Sequence, residues 1–287
     1  MHDGSNLIVI SNRLPFTLKR DSAGNVRRIL SAGGLVTAVA PVFVKSKGTW
    51  IGWPGPEVKE GDKIPESDPT DRSPAAEIQS DKIKCVFLTD WDYEMYYNGC
   101  CNATLWPLFH SMPERAVFDG SYWNAYRKVN EKFAMEAIET LKSSAQDEEK
   151  LPIIWIHDYH LLLAATTIRQ IAAEQNLKCK IVFFLHVPFP TWDILKILPW
   201  YEEVLQGVLG CDLVGLHIQD YCINFMDCCE RALGCELKRK GKHSFRIEKR
   251  GRIIHVHALP ISIPFSRFEQ LAESAEELKF KDVQVIF

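Results

Sequence analysis

The sequence predicts a doubly wound α/β domain built on a mainly parallel β-sheet. Short apolar, β-branched runs alternate with segments of helical periodicity along most of the 287 residues. The clearest unit is an apolar strand over 153–156, a helical segment over 160–174 and a second apolar strand over 181–185. Strands that are apolar throughout are typical of a parallel sheet covered by helices on both faces. A hydrophobic content of 46% is sufficient for a sizeable core.

The first part of the chain sets this pattern. A strand is predicted over 7–10, and a hairpin follows with its turn at 21–25, where the residues are Asp, Ser, Ala, Gly and Asn. The pair Gly33-Gly34 opens an apolar helix that extends to about residue 44. The next strand, over 49–53, ends at a Pro-Gly pair, because proline lacks the N–H that a sheet requires.

The middle of the chain begins with a break in the pattern. Residues 57–81 are rich in Pro, Ser, Asp and Glu and have no clear period, which predicts an exposed, mobile loop. A strand over 82–88, a helix over 90–97 and a long amphipathic helix over 122–144 are predicted after it.

The last third returns to alternating strands and helices. The predicted elements are a strand over 213–216, a helix over 221–233, a basic hairpin over 236–250 that turns at 240–242, and a strand over 253–258. A polar helix then precedes the apolar run 283–287, which has the pattern of a buried strand.

Composition excludes several classes of protein. A net charge of -3 gives no positive patch for a nucleic acid, so we expect no nucleic-acid partner. Apolar runs are too short to cross a membrane, and the first residues lack the features of a signal peptide, so we expect a cytoplasmic protein without a membrane partner. The nine cysteines are an odd number without a CxxC pair, which favours buried free thiols over disulfides or a zinc site.

Polar residues follow several strands at the point where each strand ends. Residues 11–13 follow the first strand, Trp53 ends the second, and His186 follows the strand over 181–185. His157 and Asp158 follow the strand over 153–156. Because ligands of open parallel sheets gather outside the carboxyl ends of the strands, these positions are the first candidates for a binding site.

Each candidate has a functional and a purely structural interpretation. Gly33-Gly34 at a helix start would let a phosphate approach backbone N–H groups, or it would form a plain tight turn. Arg13 could hold a phosphate through its planar fork, with Tyr97 as a second donor, or it could lie on a solvated face. Trp53 and Trp106 could offer flat surfaces to a sugar, or belong to the core.

Carboxylate and imidazole groups complete the set of candidates. Asp158 could accept hydrogen bonds from sugar hydroxyls, and His186 could donate to a hydroxyl or phosphate oxygen. His157 and His160, three residues apart, could form a metal pair, but no further ligand accompanies them and we predict no metal site. His255 and His257 alternate on a strand, which favours a polar strand face. The sequence contains neither GxGxxG nor GxxxxGK[ST], which argues against a dinucleotide-binding dehydrogenase and a P-loop NTPase.

Seven motifs stand in order along the chain: VISNRLP at 9–15, SAGGLVTAV at 31–39, WIGWPG at 50–55, YYNGCCNATLWPLFH at 96–110, YWNAYRKVN at 122–130, WIHDYHLLL at 155–163 and FFLHVPFPT at 183–191. As a set they resemble the trehalose-6-phosphate synthases, glycosyltransferase family 20. The resemblance implies the N-terminal half of a GT-B glycosyltransferase, which has two facing Rossmann-like domains. It also implies transfer of glucose from UDP-glucose to glucose 6-phosphate with retention of configuration, without a metal or other cofactor.

The resemblance also implies roles for individual residues. The acceptor glucose 6-phosphate would be bound by five side chains: Arg13, Trp53, Tyr97, Trp106 and Asp158. The donor UDP-glucose would be bound by Gly33, Gly34 and His186. His186 and Asp158 would serve catalysis, with His186 positioning the transferred glucose and donating a hydrogen bond in the transition state, while the leaving phosphate helps to deprotonate the acceptor.

The end of the sequence affects the expected activity. We expect residues 1–280 to form the N-terminal acceptor-binding domain and 281–287 to resemble the first strand of a C-terminal donor-binding domain. The family's further donor contacts follow that strand, so we expect this chain alone to lack full activity. The alternative is a catalytically silent sugar-phosphate-binding or regulatory fragment that assembles with full-length synthase; homo-oligomers are a further option for either interpretation.

Overall fold

A central sheet of nine strands organises the computed structural model, which describes residues 6–29, 33–46, 48–144 and 151–262, with residues 265 and 269. The strand order is β5-β4-β1-β6-β7-β8-β11-β10-β9, and a separate hairpin pairs β2 with β3. All pairings from β5 to β11 are parallel, and β10 and β9 extend the sheet antiparallel. The strands are β1 (Leu7–Arg13), β2 (Thr17–Arg20), β3 (Val26–Ile29), β4 (Thr49–Trp53), β5 (Ile83–Cys85), β6 (Ile153–His157), β7 (Lys180–Phe184), β8 (Leu213–Leu216), β9 (Glu236–Arg239), β10 (Ser244–Lys249) and β11 (Arg252–Ala258).

Helices cover both faces of this sheet, so the prediction of a doubly wound, mainly parallel α/β fold is confirmed. The α-helices are α1 (Gly34–Ser46), α2 (Asp90–Asp92), α3 (Trp106–Phe109), α4 (Gly120–Ser143), α5 (Ala164–Glu174), α6 (Trp192–Leu195), α7 (Tyr201–Val208) and α8 (Gln219–Leu233). A π-helical segment, Tyr93–Leu105, joins α2 to α3. Within the described ranges, no helix is both long and apolar enough to cross a membrane.

Alternating side chains of the strands supply two separate cores. In β1, Ile8 and Ile10 belong to the larger core beneath α4, α5 and α8, whereas Leu7 and Val9 belong to the smaller core beneath α1. This division follows from the two-residue period of a strand, which sends successive side chains to opposite faces. Apolar residues at each of positions 7–10 are therefore necessary, as the sequence predicted.

The sheet reverses its strand order at β1. Val9 pairs with Trp50 of β4 on one side and with Trp155 of β6 on the other. The chain continues from β1 to β4 and β5 on one side, and from β6 to β7 and β8 on the other. In doubly wound sheets this switch point opens a crevice at the carboxyl ends of the two strands. Residues that follow β1 and β6 therefore lie at the wall of one crevice.

The segment 57–81 differs in part from its prediction as an exposed loop. It has little regular structure, as expected, but Val58, Ala75 and Ile78 are buried in the smaller core. Arg28 of the hairpin lies 3.8 Å above the Phe16 ring and donates to the Ile78 carbonyl oxygen. The few apolar residues anchor the segment because α1 alone does not cover this face of the sheet.

The region between β5 and α4 was also predicted incompletely. The helix predicted over 90–97 continues to Phe109, mostly as a π-helix. Gly99 allows this packing, since a Cβ at Gly99 would lie 2.6 Å from the Tyr122 ring. A π-helix closes i to i+5 hydrogen bonds, so its apolar residues do not repeat with the α-helical period and give no clear sequence pattern.

Other predicted elements agree closely with the structure. The strands over 49–53 and 213–216 have the predicted bounds, and the hairpins turn where expected. The short helices α6 and α7 were not predicted. Eight of the nine free cysteines are buried and Cys85 is partly buried, which confirms the expected environment of the thiols. The run 283–287 and the proposed boundary at residue 280 lie outside the described residues.

Candidate functional site

The crevice at the switch point brings most of the predicted site residues together. Arg13 ends β1, Trp53 ends β4, and His157 ends β6 immediately before Asp158. The π-helical segment crosses this edge of the sheet and supplies Tyr97. Residues far apart in sequence therefore share one site because their strands are neighbours in the sheet.

Arg13 is an exposed cation held between two aromatic side chains. Its guanidinium carbon lies 5.2 Å from the centroid of the Trp53 ring and 5.2 Å from that of the Tyr97 ring. Its guanidinium donates no hydrogen bond and forms no ion pair within the described part of the chain. Aromatic faces restrict the side chain without using its N–H donors. The planar guanidinium therefore stays available for an anion that accepts two hydrogen bonds, such as phosphate.

Stacked rings extend from this cation into the crevice. Tyr93 lies 4.9 Å from Trp53 and 5.2 Å from Tyr97, and Tyr97 stacks on His160 at 5.8 Å. Trp53 is only 3% exposed. Its ring therefore serves mainly to support Arg13 and Tyr93, while Tyr97 remains partly exposed.

Trp106 stands apart from this cluster. It is 40% exposed and stacks on His110 with ring centroids 4.1 Å apart. His110 Nδ1 also lies 2.7 Å from the Trp106 carbonyl oxygen. The ring and hydrogen-bond contacts that the structure gives to Trp106 are thus with His110 and its own helix, and none joins it to Arg13 or Asp158.

Asp158 occupies a strained backbone conformation at the end of β6. Its φ is 73° and its ψ is 169°, in a region that normally requires glycine. Its backbone N–H donates to the Phe184 carbonyl oxygen at 2.8 Å, and its Oδ1 accepts from the His186 backbone N–H at 3.2 Å. Burial raises the pKa of the Asp158 carboxyl to about 6, although backbone hydrogen bonds oppose this shift. Two neighbouring strands therefore hold this carboxylate at the crevice.

Two other imidazoles, those of His157 and His217, contact His186. His157 Nδ1 lies 3.1 Å from His186 Nε2, and His217 Nε2 lies 3.2 Å from the His186 carbonyl oxygen. Burial, together with the neighbouring His217, lowers the pKa of His186 to about 4, and burial lowers that of the fully buried His157 well below its usual value. His157 and His186 are therefore neutral at pH 7 and act as hydrogen-bonding groups.

The two histidines of the HDYH motif face different partners. His160 stacks on Tyr97 and on Tyr159, at 5.8 and 4.1 Å, and its Nδ1 lies 3.8 Å from Asp158 Oδ2. Burial lowers the pKa of His160 to about 3, and Arg13 adds to this effect. His157 instead faces His186, so the two rings do not converge on a common ligand. His255 and His257 lie on the same side of β11 with ring centroids 6.3 Å apart, as predicted.

The start of α1 and a cavity lie beside the histidines. Gly33 precedes α1 and Gly34 is its first residue, and a Cβ at either would meet no atom within 4 Å. The packing of the free chain therefore does not require glycine here, and the open space admits a ligand close to the helix N-terminus. One turn further, Thr37 lines a cavity of 420 Å³ together with His157 and His186.

His217 belongs to the candidate site and was not predicted from the sequence. It follows β8, in the same way that His186 follows β7, and its Nδ1 accepts from the Ile261 backbone N–H at 3.4 Å. The rule that polar residues at strand ends mark the site would have identified it. Tyr93, in contrast, lies within the π-helix, where no simple pattern marks it.

A doubly wound sheet with an arginine, a carboxylate and imidazoles at its switch point defines a Rossmann-like ligand-binding domain. The chain belongs to glycosyltransferase family 20, whose family model matches residues 5–285. Both the fold and the family expected from the sequence motifs are thus confirmed.

Curated relatives support the same assignment. The chain is 38% identical to an alpha,alpha-trehalose-phosphate synthase [UDP-forming] from Candida albicans, over 98% of this chain and 56% of that protein. It is 36% identical to the 56 kDa subunit of the corresponding synthase from Saccharomyces cerevisiae, over 99% of this chain and 55% of that protein. The chain thus spans about half the length of the curated relatives it matches.

Solved structures of bacterial synthases share the fold. An alpha,alpha-trehalose-phosphate synthase from Burkholderia vietnamiensis has a TM-score of 0.72 at 30% identity, covering 97% of this chain and 53% of that one. A Burkholderia xenovorans synthase in complex with glucose-6-phosphate has a TM-score of 0.69 at 27% identity, covering 95% of this chain and 53% of that one.

Proposed function

We propose that this chain forms the acceptor-binding half of a retaining glycosyltransferase that makes trehalose 6-phosphate from UDP-glucose and glucose 6-phosphate. The observation that carries this proposal is the exposed Arg13 fork held between Trp53 and Tyr97 at the switch point. A phosphate monoester matches such a fork in charge and shape. The relatives are named as UDP-forming synthases, and one solved relative contains glucose-6-phosphate, which supports this choice of substrates.

Different residues of the acceptor site contact different groups of glucose 6-phosphate. Arg13 binds the phosphate, with the Tyr97 hydroxyl as a second donor. Asp158, ionised above its pKa of about 6, accepts hydrogen bonds from hexose hydroxyls. The Trp53 ring packs against the Arg13 guanidinium. Trp106 is the exposed ring that covers the sugar from the side, which requires it to approach the cluster when ligand binds.

The donor would lie on the other side of the crevice, toward α1. The open N-terminus of α1 at Gly33 and Gly34 faces a phosphate of UDP-glucose, where the helix dipole favours negative charge. His186 contacts the transferred glucose.

The glucosyl C1–O bond to UDP breaks, a new C1–O bond to the acceptor hydroxyl forms on the same face, and the acceptor proton passes to the departing phosphate. The protein's contribution is to orient both sugars and stabilise the developing charge.

Binding of glucose 6-phosphate to this chain tests the proposal directly. We expect isothermal titration calorimetry to detect glucose 6-phosphate and to show much weaker binding of glucose, because glucose lacks the phosphate. Arg13→Ala should weaken glucose 6-phosphate binding by about 30-fold or more, equivalent to about 2 kcal/mol.

Arg27→Ala provides the matched control. Arg27 is another exposed arginine, on β3, paired with Asp21 and outside the crevice. Its replacement should leave the affinity unchanged. Equal affinities of the wild type and Arg13→Ala for glucose 6-phosphate would contradict the acceptor assignment.

A further inference from the structure

His186 is held at three points, one in its side chain and two in its backbone. Its backbone N–H donates to Asp158 Oδ1, its carbonyl oxygen lies 3.2 Å from His217 Nε2, and its ring Nε2 lies 3.1 Å from His157 Nδ1. The contact at Nε2 leaves Nδ1 as the ring nitrogen of His186 that is free to face a ligand. Whether Nδ1 can donate depends on which nitrogen carries the single proton of the neutral ring.

The tautomer of His217 follows from its partners. A carbonyl oxygen only accepts, so His217 Nε2 must carry a proton to bond the His186 carbonyl. Its Nδ1 then lacks a proton and accepts from the Ile261 backbone N–H. Both ring nitrogens of His217 are thereby used to hold the backbone of His186 and the segment after β11.

The tautomer of His157 follows from its burial. Its ring is fully buried, and its Nε2 has no hydrogen-bond partner among the described residues. The nearest ring is that of Trp155, 4.6 Å away, whose indole nitrogen can only donate. A proton on His157 Nε2 would therefore be a buried donor without an acceptor, which is less tolerated than an unused acceptor. The proton belongs on Nδ1, where His186 Nε2 receives it.

We propose that His157 is a positioning residue that fixes His186 as the Nδ1–H tautomer, so that His186 presents a hydrogen-bond donor to the ligand. This inference rests on the proposed function, in which His186 contacts the transferred glucose. The proton on His157 Nδ1 occupies the lone pair of His186 Nε2, and the single proton of the neutral His186 ring must then stay on Nδ1. If the His186 proton were on Nε2, Nδ1 would present a lone pair to the ligand instead of a donor.

The surroundings favour two neutral rings over an imidazolium pair. The charged or titratable groups near His186 are Asp158, His217 and, through His160, Arg13. Burial lowers the pKa of both His157 and His186. The His186 ring adds to this effect at His157, and the His217 ring adds to it at His186. One shared N–H···N hydrogen bond therefore links the two rings near pH 7.

Tautomer-resolved NMR of the ring nitrogens tests this proposal without requiring turnover. In ¹⁵N-histidine-labelled chain at pH 7.5, the nine histidines give separate ring patterns, and loss of one pattern in His186→Gln assigns His186. We expect protonation at Nδ1 of His186 and at Nδ1 of His157. Protonation of His186 at Nε2 in the wild type would overturn the proposal.

Two variants of His157 distinguish a role in positioning His186 from a role in the stability of the fold alone. His157→Asn retains an amide N–H near the position of Nδ1 and should keep His186 as the Nδ1–H tautomer. His157→Leu removes the donor and should leave His186 in a mixture of both tautomers. Unchanged Nδ1–H protonation in His157→Leu would overturn the role of His157, whether or not the variant is less stable.

The same samples distinguish this inference from the proposed function. If the wild-type tautomer is as expected but glucose 6-phosphate fails to bind, the positioning role stands and the proposed substrate fails. If glucose 6-phosphate binds but His186 carries its proton on Nε2, the proposed function stands and the positioning role fails.

Discussion

Arg13 and Asp158, two single residues of the candidate site, have features that do not favour stability. Arg13 gains only aromatic contacts and keeps its N–H donors free. Asp158 keeps a glycine-like φ of 73° and a partly buried carboxylate. Strain and desolvation of this kind persist only where surrounding contacts impose them, as the β6 and β7 backbones do here.

The charge of Asp158 should lower stability at high pH. Its pKa is about 6 in the folded chain against 3.8 in a free carboxyl, so the unfolded chain loses this proton first as pH rises. The contribution of Asp158 to stability is therefore lost between about pH 4 and pH 6. Asp158→Asn should raise the free energy of unfolding at pH 8 by up to about 3 kcal/mol and have little effect at pH 4.

Urea unfolding at the two pH values measures this difference. Asp81→Asn, at an exposed carboxylate, is the control and should change neither value. A destabilised Asp158→Asn chain at pH 8 would show that the carboxylate stabilises the fold instead of serving the ligand.

At the level of elements, the π-helical segment accounts for much of what the sequence did not reveal. Tyr93 and Tyr97 reach the crevice because this segment crosses the carboxyl edge of the sheet, with Gly99 packed against Tyr122 of α4. The central parallel strands were predictable because they are apolar on both faces. The π-helix was not, because its irregular period is stabilised by tertiary contacts rather than by a local pattern.

Replacing Gly99 should disturb this segment. In Gly99→Ala the added methyl group would lie 2.6 Å from the Tyr122 ring, so we expect a loss of about 1 to 3 kcal/mol in unfolding free energy. Gly120→Ala, at the first residue of α4 with no atom within 4 Å, is the control and should not destabilise the chain. Equal stability of both variants in urea would show that the contact with Tyr122 is not tight.

At the scale of the whole molecule, the switch point explains why the position of the candidate site could be predicted from the sequence and its detailed geometry could not. The rule that ligands gather at strand ends selected Arg13, Trp53, Asp158 and His186 from sequence alone, and these ends do lie at one edge. The sequence does not show which ring nitrogen of each histidine faces which partner, or that Trp106 lies apart from the other candidates. Both depend on side-chain packing between elements distant in sequence.

The buried imidazoles should make the whole fold sensitive to acid. The pKa values of His160 and His186 are lowered to about 3 and about 4, and that of His157 is also low. Unfolded histidines take up protons below about pH 6.5, whereas these folded ones do not, so their contribution to stability is lost as pH falls from 6.5 toward 4. Three histidines outweigh the opposite effect of Asp158.

Unfolding free energies at pH 7 and pH 4.5 test this dependence. The wild type should be less stable at pH 4.5, and His186→Gln should reduce the loss by about 1 to 3 kcal/mol. His243→Gln, at an exposed histidine, should not reduce it. A wild-type chain equally stable at both pH values would contradict the neutral, buried state of these rings.

A crystal structure of this chain with glucose 6-phosphate would locate the bound phosphate. We expect the phosphate oxygens within about 3 Å of the Arg13 guanidinium nitrogens and a hexose hydroxyl at a similar distance from the Asp158 carboxylate. Phosphate bound elsewhere, for example in the basic cavity lined by Lys249, Arg250 and Arg252, with the Arg13 crevice empty, would contradict the proposed role of Arg13.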